Sequence, residues 1–149
     1  MRLHARAANG WGWLALRGLG ALALLATGAI HLHLYAGIYS QIPTIGTLFL
    51  LNFAGATTLA LGLLAPLERF GGRYGGLLLT LVAAAGVMFA ALTFAGLLLS
   101  EHTPLFGFKE PGYDPAAITA SRVAEIATAV FLGLFLAGRG WLKAPMRRW

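Results

Sequence analysis

The chain has 149 residues, 58% of them hydrophobic and 11% charged, and its mean hydropathy of +0.75 is far from the balance of a soluble domain of this size. It has no cysteine, which removes disulfides, thiolate metal sites, cysteine-ligated clusters and a thiol nucleophile, and leaves His, carboxylate or Tyr as ligands for any metal. The net charge of +6 comes from basic flanks beside apolar runs, so the lipid bilayer, not nucleic acid, is the expected partner.

Four apolar runs, at about 18–39, 43–65, 75–100 and 117–139, predict four transmembrane helices in one domain spanning 1–149. Each is near the roughly 20 residues that cross a hydrocarbon core. The runs are continuously apolar, without the two-face alternation of a barrel strand, so the fold class is all-α. Arg2, Arg6 and the stretch Ala26-Thr27-Gly28-Ala29 also fit a cleavable signal peptide, but the apolar segment continues past that point into His31 and His33.

Punctuation between the runs agrees with four helices. Ser40-Gln41-Ile42-Pro43 leaves room for only a tight hairpin, and Pro43 suits the first turn of a helix, where its missing N–H costs nothing. Pro66 and Gly71-Gly72 break the chain before the third run. Asp114-Pro115 reads as an N-cap followed by Pro at the first helical position, and Gly140 as a stop for the fourth helix.

Arg2, Arg6 and Arg17 precede the first span, Arg69 and Arg73 separate the second and third, and Arg139, Lys143, Arg147 and Arg148 follow the fourth. The positive-inside rule makes these regions cytoplasmic, giving an up-down-up-down bundle with both termini inside. The loop from Glu101 to Ala116 sets Lys109 against Glu101, Glu110 and Asp114 and is expected outside. Trp11, Trp13, Trp141 and Trp149 are placed as interfacial anchors.

Within this topology the ionisable residues inside the spans become a constellation. His31 and His33 of the first helix, Asn52 of the second, and Arg122 and Glu125 of the fourth fall roughly 5 to 14 Å from the outer boundary, counted at 1.5 Å per residue. Thr93 of the third lies at a similar depth, so every helix contributes a polar group to one slab. Thr27, His31 and Tyr35 share a stripe at four-residue spacing, whereas His33 is about 200 degrees away from His31. The two histidines are therefore poor ligands for one ion. Ser121, Glu125 and Thr128 share a face, and Glu125 is the expected partner of His31, because an unpaired carboxylate in hydrocarbon is costly.

The candidate pocket is His31, Tyr35, Asn52, Glu125, Arg122 and His33. Structural readings stand beside the functional ones. His31 is read as a hydrogen-bonding lock to Glu125 or Asn52, as a proton relay or substrate-binding group, or as a metal or haem ligand. His33 is interfacial or at a second packing surface, and Arg122 either snorkels outward or pairs with Glu125. Asn52 reads first as interhelical glue worth around 1 kcal/mol, and His102 as a solvated loop residue. Gly55, Gly62, Gly86, Ala90, Ala129 and Gly133 provide small-residue faces for close packing or for a partner chain.

Two stretches, His31-Leu32-His33-Leu34-Tyr35 and the run Ile42-Pro43-Thr44-Ile45-Gly46-Thr47-Leu48-Phe49-Leu50-Leu51-Asn52, resemble a group of small uncharacterised four-helix membrane proteins from high-GC actinobacteria. The resemblance covers the first hairpin and implies a bacterial plasma membrane; it carries no catalytic assignment. With no nucleophile elbow and no phosphate-binding glycine loop, the expected function is a non-enzymatic accessory or binding subunit, with no catalytic residue and no cofactor. The alternatives are a redox protein holding haem or a metal through His31 or His33 with His102 or Glu125, and a carrier of protons or a small solute. Another membrane subunit or a second copy of the chain is the possible protein partner.

Overall fold

The computed structural model describes residues 2–141, with side chains from 11 to 139. Expectations placed on Lys143, Arg147, Arg148 and Trp149, and on the side chains of Arg2, Arg6 and Trp141, lie outside the described residues. The order is α1 (Arg2–Ala36), a 3-10 turn (Tyr39–Gln41), α2 (Pro43–Leu64), the short α3 (Leu67–Phe70), a second 3-10 turn (Gly72–Tyr74), α4 (Gly75–His102) and α5 (Pro115–Trp141). The described chain is all-α. Four of its helices are long and apolar enough to cross a membrane, which makes this a multi-pass membrane protein.

Helix ends follow the local chemistry. Pro43 opens α2 after an extended Ile42, and α2 stops at an extended Ala65 because the residue before Pro66 is pushed out of the helical region. Thr103, extended before Pro104, ends α4 in the same way. At α5 the Ala117 N–H donates to Asp114 Oδ1 at 3.0 Å, an N-cap.

Two boundaries differ from expectation. The first helix stops at Ala36, not Tyr39; the Gly37 N–H closes on His33 and Leu34 carbonyls, and Tyr39 then swings into a 3-10 turn. That turn seats its Tyr39 carbonyl against Gly46, where an added Cβ would lie 2.7 Å from the oxygen. Gly140 does not stop α5, which continues through it to Trp141, because a glycine inside an otherwise favourable helix weakens it by only about 1 kcal/mol.

α1 packs on α2 and α5, and α4 packs on α5 and, more loosely, on α2. Paired positions fall in number on one helix as they rise on the other. Arg17 meets Leu63, Gly28 meets Ala56 and His31 meets Phe49 between α1 and α2, while Gly76 meets Arg139 and Glu101 meets Arg122 between α4 and α5. The core is narrow. Ala21, Ala56, Ala60 and Ala83 are fully buried around Leu24, Leu63, Leu79 and Leu132. In hydrocarbon no hydrophobic force draws helices together, so small residues that admit close contact supply the association. Gly86 receives Leu132, Gly55 receives Phe89 and Gly62 receives Val82, whereas a Cβ added at Gly133 would meet no described atom within 4 Å. Large apolar side chains such as Leu81, Met88, Leu92 and Leu134 face outward, as lipid contact requires.

The end of the bundle holding Arg17 is closed by a charged clamp. Arg17 donates to the Leu63 and Ala65 carbonyls at the C-terminal end of α2, of which Ala65 also accepts from the Leu67 N–H at 2.8 Å, and pairs with Glu68 at 3.2 Å. Arg139 reaches the same Glu68 at 3.0 Å and the Gly76 carbonyl at 3.1 Å, which links α1, α3, α4 and α5.

Candidate functional site

At the opposite end, above the Gly55–Phe89 contact, α2 and α4 separate and leave a cavity of about 390 Å³. This lies within the roughly 300–1,000 Å³ of ordinary ligand pockets. Each long helix contributes polar side chains to its wall: His31 from α1, Asn52 from α2, Thr93 and Ser100 from α4 and Ser121 from α5. Leu48, Leu51 and Leu92 also line it while remaining substantially exposed, so the opening between α2 and α4 faces the lipid side.

The end of the cavity away from the Gly55–Phe89 contact is covered by loop residues. Tyr39, only 1% exposed, donates to Glu110 Oε2 at 2.7 Å; its ring stacks on Phe49 at 4.6 Å and meets the edges of Phe108 and Tyr113. Burial first, and then the Glu110 carboxylate, push the Tyr39 phenol well above its ordinary value, so it stays a donor at neutral pH. Glu110 also accepts from the Gly112 N–H at 2.8 Å, and its own N–H donates to the Ser100 carbonyl at 2.8 Å, tying the loop back to α4.

His31 Nδ1 lies 2.9 Å from the Thr27 carbonyl of its own helix. That oxygen can only accept, so the proton is assigned to Nδ1, and Nε2 of the neutral ring is left with a lone pair. Asn52 is 7% exposed and its Oδ1 has no hydrogen-bond partner among the described residues. Glu125, 2% exposed, accepts from Ser121 Oγ at 3.1 Å and sits beside Thr93, with its second oxygen unpartnered.

Several sequence expectations take different places. Glu125 is joined to Ser121, not to His31, because the His31 donor is committed to Thr27. Arg122 pairs with Glu101 at the end of α4, not with Glu125 in a hydrogen bond; its long side chain reaches outward to the carboxylate nearest the bundle end. His33 points away from the cavity, is largely exposed and lies 3.5 Å from Asp114. The Asp114 carboxyl is held below the usual range by the Ala117 N–H and, secondarily, by His33. Tyr35 is partly buried against Gly46 and is not on the cavity wall. His102 ends α4, exposed, with Nδ1 donating to the Leu98 carbonyl at 2.8 Å. Of the six candidate residues, the cavity wall therefore holds His31 and Asn52, with Glu125 just behind Ser121.

Tyr39 and Glu110 were not among the expected site residues. Tyr39 continues the four-residue stripe of Thr27, His31 and Tyr35, a signal present in the sequence; Glu110, in a polar loop, carries none. Among the described residues no three His, Asp or Glu side chains converge as metal ligands. No family model, curated protein or solved structure matches the chain.

Proposed function

We propose that this chain is a non-enzymatic binding subunit of a bacterial plasma membrane, an up-down-up-down bundle with both termini cytoplasmic, whose outer-half cavity holds a small membrane-soluble ligand. The observation that carries this reading is the amide of Asn52: a buried, unpartnered acceptor on the wall of a cavity that opens to lipid. Leaving such a group unmade costs about 1–3 kcal/mol, which an occupant can recover. Mass spectrometry of small molecules extracted from protein purified in mild detergent tests it. A stoichiometric ligand is expected; repeated recovery with neither a ligand nor a protein partner contradicts the reading.

Orientation is tested on the same cysteine-free background. Gly107→Cys in the α4–α5 loop is expected to react with a membrane-impermeant maleimide on intact cells, and Gly72→Cys only after permeabilisation. The reverse pattern would invert the bundle.

Carriage of protons or a small solute is a second reading, favoured by Glu125, whose Oε1 lies one hydroxyl behind the cavity wall and whose Oε2 has no partner among the described residues. Unchanged flux in proteoliposomes carrying His31→Ala and Glu125→Gln would reject it.

A further inference from the structure

The cavity wall is largely apolar, and the few polar groups on it are almost all hydrogen-bond acceptors. Its hydroxyl protons are already spent: Thr93 donates to the Phe89 and Ala90 carbonyls, Ser100 to the Leu97 carbonyl at 2.8 Å, Ser121 to Glu125 and Tyr39 to Glu110. His31 commits its one neutral-ring proton to Thr27. What faces the space is therefore His31 Nε2, the Asn52 amide with its unpartnered Oδ1, and hydroxyl lone pairs. The amide N–H of Asn52 is the one donor this set leaves uncommitted.

Charge narrows the class further. No Lys or Arg lines the cavity, Arg122 is turned to Glu101, and carboxylates stand at its rim and behind its wall in Glu110 and Glu125. A phosphate or carboxylate headgroup would enter without a counter-ion and against two acidic side chains. The portal has its own chemistry: Leu48, Leu51 and Leu92 leave an apolar gap between α2 and α4, wide enough at Gly96 that an added Cβ meets nothing within 4 Å.

Resting on the binding function proposed above, we infer that the occupant is a neutral lipid-soluble molecule whose polar end is a hydroxyl donor, with its chain passing out between α2 and α4 into the membrane. An aliphatic long-chain alcohol and a tailed hydroquinone share this chemistry. Anionic phospholipids and pure acceptors such as quinones do not match the wall.

Photolabelling of the full chain in nanodiscs separates these classes. The probe is a long-chain primary alcohol with a mid-chain diazirine; its methyl ether and its phosphate monoester are the comparison probes. The alcohol is expected to label peptides containing Leu48–Asn52 and Leu92–Leu97. The ether, which has no donor, is expected to label at least about tenfold less, as the loss of one hydrogen bond to a buried acceptor implies. The phosphate is expected to label these peptides no more than a control peptide. Unlabelled decyl hydroquinone competing better than decanol assigns the aromatic source, and decanol competing better assigns the aliphatic one.

Gly96→Leu puts a side chain into the portal at a position where an added Cβ meets nothing within 4 Å, and favours the helix, so it is expected to abolish labelling by the alcohol while the protein stays monodisperse. Equal labelling by the alcohol and the ether, stronger labelling by the phosphate, or a quinone competing as well as its hydroquinone overturns the donor assignment while the binding function stands. Labelling of the cavity by none of the three probes removes the binding function as well.

Discussion

Asn52 and Arg17 are both polar residues in a lipid-facing bundle, yet they have opposite energetic signs. Arg17 caps the C-terminal end of α2, so Arg17→Ala leaves the Leu63 oxygen without its partner, while Ala65 keeps the Leu67 N–H, at a cost of about 1–3 kcal/mol in thermal or denaturant unfolding. Its ion partner matters less. Glu68 is half exposed, and Glu68→Gln is expected to cost under about 1 kcal/mol in the same assay. Asn52 has no hydrogen-bond partner among the described residues, so Asn52→Leu is expected to leave stability unchanged or raise it while lowering ligand occupancy. A loss of about 1 kcal/mol with occupancy unchanged would instead make Asn52 interhelical glue. Asp114 adds a pH dependence. Its folded-state carboxyl lies below the unperturbed 3.8, so its capping contribution is present above that value and is lost as pH falls through the depressed folded-state value. Amide exchange at Ala117 is the readout: protection is expected to hold across neutral and mildly acidic pH and to fall only below the unperturbed value.

Helix α4 carries two glycines with different duties. At Gly86 an added Cβ would lie 2.6 Å from Leu132, so Gly86→Ala overpacks the core and is expected to cost about 1–3 kcal/mol. Gly96 faces open space, and Gly96→Ala is expected to be neutral or to stabilise by up to about 1 kcal/mol. The two melting temperatures, measured side by side, check this. The small-residue spacing picks out Gly86 and leaves Gly96 aside, but it picks out Gly133 as well, which faces open space; the difference lies in what the neighbouring helix presents. Span boundaries were legible because Pro43, Pro66 and the Asp114-Pro115 pair act locally on the backbone. The turn at Tyr39 was not, since no proline or charge marks Ala36 as an end.

For the molecule as a whole, depth was easier to read than direction. Counting along the spans placed His31 and His33, Asn52, Thr93, and Arg122 and Glu125 in one layer; His31, Asn52 and Thr93 meet around one cavity, where Ser121 takes the place on the wall that was expected of Glu125. Pairing within that layer was harder. His31 has a carbonyl four residues back on its own helix, and this local acceptor displaces the distant carboxylate of Glu125. Glu101, one turn beyond the apolar part of α4, likewise attracts Arg122 away from Glu125. The loop was read as a solvated connection, yet Tyr39 and Glu110 fold it over the cavity. The central claim is that this cavity is a ligand site open to lipid. Native mass spectrometry of the wild-type chain, Gly96→Leu and Gly133→Leu, released from the same membrane preparation, tests it most directly. A bound mass on the wild type and on Gly133→Leu, absent from Gly96→Leu, is the predicted result; a bare wild-type chain, or an adduct retained equally by Gly96→Leu, would contradict it.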